Sequence, residues 1–337
     1  MKYYSSGGIG MKTIWLVMPC YNEQEVLGKT AHKLKILLKQ LMDDCKITSK
    51  SKIAFVNDGS KDFTWKCICE LYQSDPIFVG INLSKNRGQQ NALLAGIEIA
   101  KDYADAVITL DVDLQDDITL IEEFINQFEA GYDIVYGVRC SRKKDHFFKR
   151  CTASWFYKVM KLWGVEIVYN HAEYRLMSKR VLDEFEKYQE VNMFIRGVIP
   201  LLGYPSTIIE YERSEREAGK SKYPLHKMLS LALEGVTSLS VKPIRFISAL
   251  GIIIFGVSFL MIAYFVFQHF IGNTVSGWAS LIVSIWALGG LQLLSIGVIG
   301  EYIGKTYLET KHRPRYSIES ILHTEKERKD ESENQFV

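Results

Sequence analysis

The stretch Ala106-Val107-Ile108-Thr109-Leu110-Asp111-Val112-Asp113-Leu114-Gln115 decides how this chain is read. Five residues, apolar apart from the β-branched Thr109, run directly into two carboxylates separated by one side chain. An apolar run of that length is consistent with a strand buried on both faces, and such strands belong to parallel sheets covered by helices. Outward from it, Ile14–Met18, Ile53–Val56, Phe78–Asn82 and Ile134–Gly137 are runs of the same kind. Helical patterns lie between them; Val26, Thr30, Leu34, Leu37/Leu38 and Leu41 step by three or four. Strand–helix alternation of this sort predicts an α/β fold with a mostly parallel sheet, whose ligands bind beyond the carboxyl ends of the strands.

Polar motifs sit at those ends: Pro19-Cys20-Tyr21-Asn22-Glu23, Asn57-Asp58-Gly59-Ser60, and Asp111 through Gln115. Asp111 and Asp113 flank one residue past a buried strand, so their side chains can converge on one hard cation. Oxygen ligands together with a phosphate suit Mg²⁺ or Mn²⁺. An isolated Asp-x-Asp is more often a solvated turn; it is the buried strand before it and the register with two further strand-end motifs that favour a site. Asp58 can accept a hydrogen bond from a base ring N–H, and it also suits an Asx-turn or helix cap.

The chain has 337 residues, with 41 basic and 39 acidic side chains and a formal charge of +2, so no global charge points to nucleic acid. Six cysteines, Cys20, Cys45, Cys67, Cys69, Cys140 and Cys151, form no CxxC pair. Free thiols in a reducing compartment fit best, and zinc does not. Residues 1–10 carry no apolar core and read as a flexible leader.

The second half is different. From Phe246 to Gly300 there is no Lys, Arg, Asp or Glu. A span needs roughly 20 apolar residues to cross about 30 Å of hydrocarbon, so this run predicts two transmembrane helices within 244–304, about 246–267 and 279–299. A buried hairpin of a large soluble protein is the competing explanation, disfavoured because soluble helices rarely lack a charged face. Lys227, Lys242 and Arg245 precede the first span, and Lys305, Lys311, Arg313 and Arg315 follow the second. That bias predicts that both termini and the first half are cytoplasmic. Leu225, Met228, Leu229, Ala232, Val236 and Leu239 recur at helical spacing, consistent with a juxtamembrane amphipathic helix over 223–243. Gly289, Gly290, Ser295, Gly297 and Gly300 suit close helix contact, within the hairpin or in a homo-oligomer. Residues 305–337 form a C-terminal tail, expected to be disordered from His323 to Gln335.

The three strand-end motifs, in this order and spacing, resemble family-2 glycosyltransferases with the GT-A nucleotide-sugar fold. The resemblance covers about Thr13 to Glu217 and assigns 11–222 to that domain. Gly137-Val138-Arg139, Glu173-Tyr174-Arg175-Leu176-Met177-Ser178 and Gly219-Lys220-Ser221-Lys222-Tyr223-Pro224, followed by two spans, are similar to polyprenyl-phosphate glycosyltransferases. That group includes dolichyl-phosphate mannose synthases and bacterial undecaprenyl-phosphate glucosyltransferases. The run from Gly297 to Gly304 favours the bacterial branch, and with it the inner or plasma membrane. Many relatives carry Asp where Glu173 stands.

By this resemblance, Pro19, Tyr21, Glu23, Asp58 and Asp111 hold the nucleotide sugar, and Asp111, Asp113 and Gln115 hold the metal and diphosphate. Arg139, Arg150, Ser154 and Lys222 grip the lipid phosphate. Arg offers a planar fork to phosphate oxygens and Lys a point charge. The implied reaction is inverting transfer from a UDP-sugar, glucose first and N-acetylglucosamine second, to a polyprenyl phosphate, for cell-surface glycan modification such as cell wall or lipopolysaccharide. Glu173 is the candidate for a base or positioning role, with Arg175 orienting it or meeting the diphosphate. Two competitors remain: a processive polysaccharide synthase, which would carry a Gln-x-x-Arg-Trp motif and more spans, and a non-catalytic nucleotide-sugar-binding subunit, which would not need the Asp111–Gln115 set.

Overall fold

A computed structural model describes residues 10–139, 171–212, 237, 240–271 and 278–323. They fall into two units: residues 10–139, 171–212 and 314–323 in one, and 237, 240–271 and 278–313 in the other.

The first unit is built on β1 (Ile14–Cys20), α1 (Gln24–Asp43), β2 (Lys52–Asn57), α2 (Thr64–Ser74), β3 (Phe78–Leu83), α3 (Gln89–Ala100) and β4 (Ala106–Thr109). A 3₁₀ turn at Ile118–Leu120 leads into α4 (Ile121–Glu129), and β5 (Ile134–Arg139), β6 (His171–Ser178), α5 (Lys179–Phe185), α6 (Ile195–Leu201) and β7 (Ser206–Tyr211) follow. The second unit contributes α7 (Lys242–Ile271) and α8 (Trp278–Thr310), after which β8 (Ile318–Leu322) belongs again to the first.

The strands form one sheet in the order β7-β5-β6-β4-β1-β2-β3-β8. β1 runs parallel to β2 and β4, and β2 parallel to β3; β6 and β8 run against their neighbours. The five apolar runs all form strands of this α/β sheet, and β1 extends through Pro19 and Cys20. Because the chain steps from β1 to β2 and β3 on one side and to β4 on the other, the sheet has a switch point between β1 and β4, where loops diverge and leave a crevice.

Both faces are covered. Leu27, Thr30, Ala31, Leu34, Leu38 and Leu41 of α1 are buried, one residue out of step with the expected stripe at Val26. On the other face α3 packs directly on β1 and β2. A Cβ on Gly96 would stand 2.4 Å from Val17 Cγ1 and 2.8 Å from Val56 Cγ2, so the helix can approach only with glycine there.

Three strands escape the apolar-run criterion. β6 contains Glu173 and Arg175, and β7 is an edge strand with alternating exposure. β8 lies inside the expected tail, pairing antiparallel with β3 and covering the sheet edge. His323, expected to begin a disordered segment, is buried at 2% exposure. Its ring meets Trp15 edge-on at 5.2 Å and Tyr103 at 4.5 Å, an aromatic anchor that holds the strand in place.

The uncharged run becomes α7 and α8, of 30 and 33 residues. Tyr302 donates to the Ser240 carbonyl at 2.5 Å, and Lys305 Nζ donates to Thr237 at 2.5 Å. Taken over the described residues, no helix is long and apolar enough to cross a membrane; many side chains of α7 and the first half of α8 lie outside those described. Most of the expected amphipathic helix over 223–243 also lies outside the described residues.

Candidate active site

Four parallel strands end on one side, and the loops that follow them are tied to one another. After β1, the Asn22 N–H donates to Ser60 Oγ at 3.0 Å and the Glu23 N–H to Thr64 Oγ1 at 2.9 Å, joining the loops after β1 and β2. Pro19 and Glu23 are half-buried and Tyr21 is exposed, so a flat aromatic face stands open at the end of β1.

Asp58, one residue past β2, is 2% exposed. Its Oδ1 accepts the Arg87 N–H at 2.6 Å and its Oδ2 the Gly88 N–H at 2.9 Å. Burial raises its carboxyl above the usual range, against those two amide donors. Gly59 follows in the left-handed region at φ 59°, and a Cβ there would lie 2.4 Å from Asn86 N. Both donors lie about thirty positions on, so Asp58 makes neither the expected Asx-turn nor a helix cap; the local turn bond, from the Ser60 N–H, goes to Asn57 Oδ1, and Asp58 instead fastens the loop that opens α3. Each carboxylate oxygen has a second lone pair available to a ligand N–H.

The Asp111–Gln115 segment leaves β4 at the switch point. Thr30 of α1 donates to the Val112 carbonyl at 2.7 Å, fixing the backbone between the two aspartates. Asp111 accepts from Gln89 Nε2 at 2.8 Å and lies 3.9 Å from Arg139 Nη2. Burial, with the charges of Asp116, Asp113 and Glu173, pushes its carboxyl up to about 7; Arg139 pulls the other way. Asp113 Oδ1 accepts the Gln115 N–H at 3.3 Å, which folds the loop around Leu114 at φ 50°. Gln115 is 7% exposed, and its buried Oε1 has no hydrogen-bond donor among the described residues.

Arg139, at the end of β5, is held by its neighbours. Asp116 Oδ1 accepts from its Nη2 at 3.0 Å, Tyr211 accepts from its Nε at 3.2 Å, and the Tyr211 hydroxyl donates to Asp116 at 2.5 Å. Burial works against its charge, but Asp116, Tyr211 and Asp111 more than offset that and raise its pKa. The guanidinium thus belongs to the same cluster as Asp111.

Glu173 and Arg175 lie on β6. The Glu173 carboxylate accepts from Arg175 Nη2 through one oxygen and from Arg196 Nε at 2.6 Å through the other. Arg175 is fully buried, and burial lowers its pKa against the Glu173 charge. Its Nε and Nη1 find no hydrogen-bond partner among the described residues. With both Glu173 oxygens facing guanidinium groups, the arrangement suits a positioning carboxylate better than a base. Arg175 meets Glu173, the residue one of its two expected roles would have it orient, and its side chain is fully buried. Arg150, Ser154 and Lys222 lie outside the described residues.

Thr30, Gln89, Asp116, Arg196 and Tyr211 join the site without having been singled out. Asp116 had a signal, the acidic spacing Asp111, Asp113, Asp116, Asp117. Arg196 and Tyr211 had none, since their partners are distant in sequence.

A mostly parallel sheet with its loops gathered at a switch point and an acidic pair after β4 is a GT-A-like α/β fold. Residues 15–185 match the model of Glycosyl transferase family 2, and the chain belongs to that family. It is 50% identical over 310 residues to the uncharacterized glycosyltransferase YkoT of Bacillus subtilis (strain 168), covering 92% of each chain. It is 41% identical over 311 residues to the prophage bactoprenol glucosyl transferase homolog of Escherichia coli (strain K12), covering 91% of this chain and 99% of that one. The bactoprenol glucosyl transferase of Shigella phage SfV is 41% identical over 312 residues, with 91% and 98% covered.

Proposed function

We propose that this enzyme transfers a sugar, glucose in the first instance, from a UDP-sugar to a polyprenyl phosphate at a bacterial membrane. The observation that carries the reading is the Asp111–Gln115 loop at the switch point, facing Arg139, in a chain whose relatives at 41% identity are named bactoprenol glucosyl transferases.

In this reading Tyr21 and Asp58 receive the base, with Pro19 and Glu23 shaping the loop around it. Asp111, Asp113 and Gln115 would hold a divalent cation, Mg²⁺ or Mn²⁺. The residues fit such an ion: burial and the neighbouring carboxylates together raise Asp111, and the buried Gln115 oxygen has no donor among the described residues. Among the described residues no three His, Cys, Asp or Glu side chains form a ligand cluster, so the substrate phosphate and water would have to supply the remaining ligands. When bound, the cation would neutralise charge on the leaving diphosphate.

A phosphate monoester has its second pKa at about 6 and is already largely ionised at neutral pH. Its oxygen attacks the anomeric carbon from the face opposite the UDP; the new C–O bond forms as the bond to the β-phosphate oxygen breaks, and the configuration inverts. No strong base is required, in keeping with a Glu173 that is engaged by two arginines. Arg139, with Arg150, Ser154 and Lys222, grips the acceptor phosphate, and alignment with charge stabilisation dominates.

The membrane assignment draws on the uncharged run and on the apolar surface of the two long helices. Ile252, Leu260 and Leu293 are 72%, 69% and 72% exposed, a cost in water that hydrocarbon would remove. We place two spans there, with the catalytic domain and both termini on the cytoplasmic side, and a homo-oligomer through the glycine-rich face of α8. A panel of labelled nucleotide sugars, offered with one polyprenyl phosphate and then with none, tests the reading. Label should enter the organic phase from one donor only, and only with the lipid present.

A further inference from the structure

A chain of amide hydrogen bonds crosses the sheet from its covered edge to the nucleotide loops. Glu319 of β8 accepts from Asn82 Nδ2 at 2.9 Å, across 237 positions of sequence. Asn82 Oδ1 accepts from Asn57 Nδ2 at 2.7 Å, and Asn57 Oδ1 accepts the Ser60 N–H at 3.3 Å. Ser60 Oγ then accepts the Asn22 N–H at 3.0 Å, reaching the loop that carries Tyr21 and Glu23. Asn57 and Asn82 are 3% and 7% exposed, and they are paired residues of β2 and β3.

The direction of this chain is fixed from both ends. A carboxylate can only accept, so Asn82 must turn its amide nitrogen to Glu319 and its oxygen to Asn57. Asn57 must then turn its nitrogen to Asn82, which leaves its oxygen for the Ser60 N–H. A backbone N–H can only donate, so the two ends agree. Reversing Asn57 or Asn82 alone would bring acceptor against acceptor or donor against donor at their buried contact.

We propose that Glu319 is a positioning residue: through Asn82 and Asn57 it sets the hydrogen-bond direction that holds the loops on either side of Asp58. The C-terminal strand is in this way part of the donor site's support, although it touches no substrate. The kinetic arm of the test rests on the glycosyltransferase reading; a second arm does not.

Asn57→Asp accepts from Ser60 as before but can no longer donate. Asn82 must turn its nitrogen toward the new carboxylate, and its oxygen then faces the Glu319 carboxylate. Glu319→Gln can present an N–H to that oxygen. The donor KM of N57D should rise about fivefold with the acceptor KM unmoved, and N57D/E319Q should return to within about twofold of E319Q alone. Asn82→Leu should raise the donor KM similarly and gain nothing from E319Q. Amide hydrogen exchange over residues 57–63 should show the same pattern of loss, rescue and failed rescue, whether or not any sugar is transferred. If N57D folds poorly, recovery of folded yield in the double variant counts as rescue. Absence of rescue by E319Q in yield, exchange or KM, or rescue of N82L, would overturn the proposal. An active wild type with no rescue would sink the relay alone; an inactive wild type with rescued exchange would sink the transfer reading alone.

Discussion

Glu173 Oε1 accepts a hydrogen bond from Arg196 Nε at 2.6 Å, while its other oxygen faces the buried Arg175. This pairing turns a carboxylate whose charge is felt at Asp111 into the counter-charge of two guanidinium groups. Removing one partner of a buried ion pair strands the other, at a cost of about 3–5 kcal/mol. E173Q should therefore lower the urea midpoint strongly, and E173Q/R175M should recover much of the loss. Equal midpoints for wild type and E173Q would contradict the pairing. The acid limb of the kcat/KM profile should survive in E173Q, whereas a general base would take that limb with it.

In the proposed reading Asp113 would hold a divalent cation together with Asp111 and Gln115. D113A should reduce sugar transfer by about a thousandfold or more while leaving the thermal midpoint near that of wild type. A chelator should abolish transfer by wild type, and Mg²⁺ or Mn²⁺ should restore it. Undiminished turnover in either experiment would remove the cation from the account.

Tyr211 donates to Asp116 and accepts from Arg139, so its hydroxyl joins a buried acid to the guanidinium that faces Asp111. Y211F keeps the ring and removes the hydroxyl. Losing a hydrogen bond of this type costs about 1–2 kcal/mol, so kcat/KM for the lipid acceptor should fall about tenfold. An unchanged value would show that Arg139 is held by Asp116 alone or does not meet the acceptor.

Asp75 supplies a pH signature away from the site. Burial pushes its carboxyl up, but Lys35 at 2.8 Å, the Ile77 N–H and Lys39 at 3.0 Å outweigh it and hold it at about 2. A depressed folded value means that the stabilisation is complete above an unfolded pKa of about 4 and is lost as pH falls toward 2. Between those limits the unfolding midpoint of wild type should drop more steeply than that of D75N. Parallel slopes would show that the lysines contribute nothing there.

What was legible in the sequence was what local chemistry specifies. The five apolar strand runs, and the places of Asp58, Asp111 and Asp113 just past their strands, could be read because each lies within a few residues of its own signal, and the family resemblance built on them is met. β6 was hidden because Glu173 and Arg175 satisfy each other inside it, so a buried strand carries two charges. Thr30 looked like part of a core stripe, and it is, but its hydroxyl also holds Val112. Arg196 and Glu319 have no local signal at all; each acquires its role from partners many positions away. β8 was concealed for the same reason, since a short strand in a polar tail declares itself only when an open sheet edge is present to receive it.

The most direct measurement is the product formed by purified protein supplied with UDP-glucose, undecaprenyl phosphate and Mg²⁺ or Mn²⁺. The account predicts one glycolipid for each UDP released, with the sugar on the lipid phosphate in the configuration opposite to the donor's. UDP release without glycolipid, or no glycolipid from any nucleotide sugar offered, would contradict it.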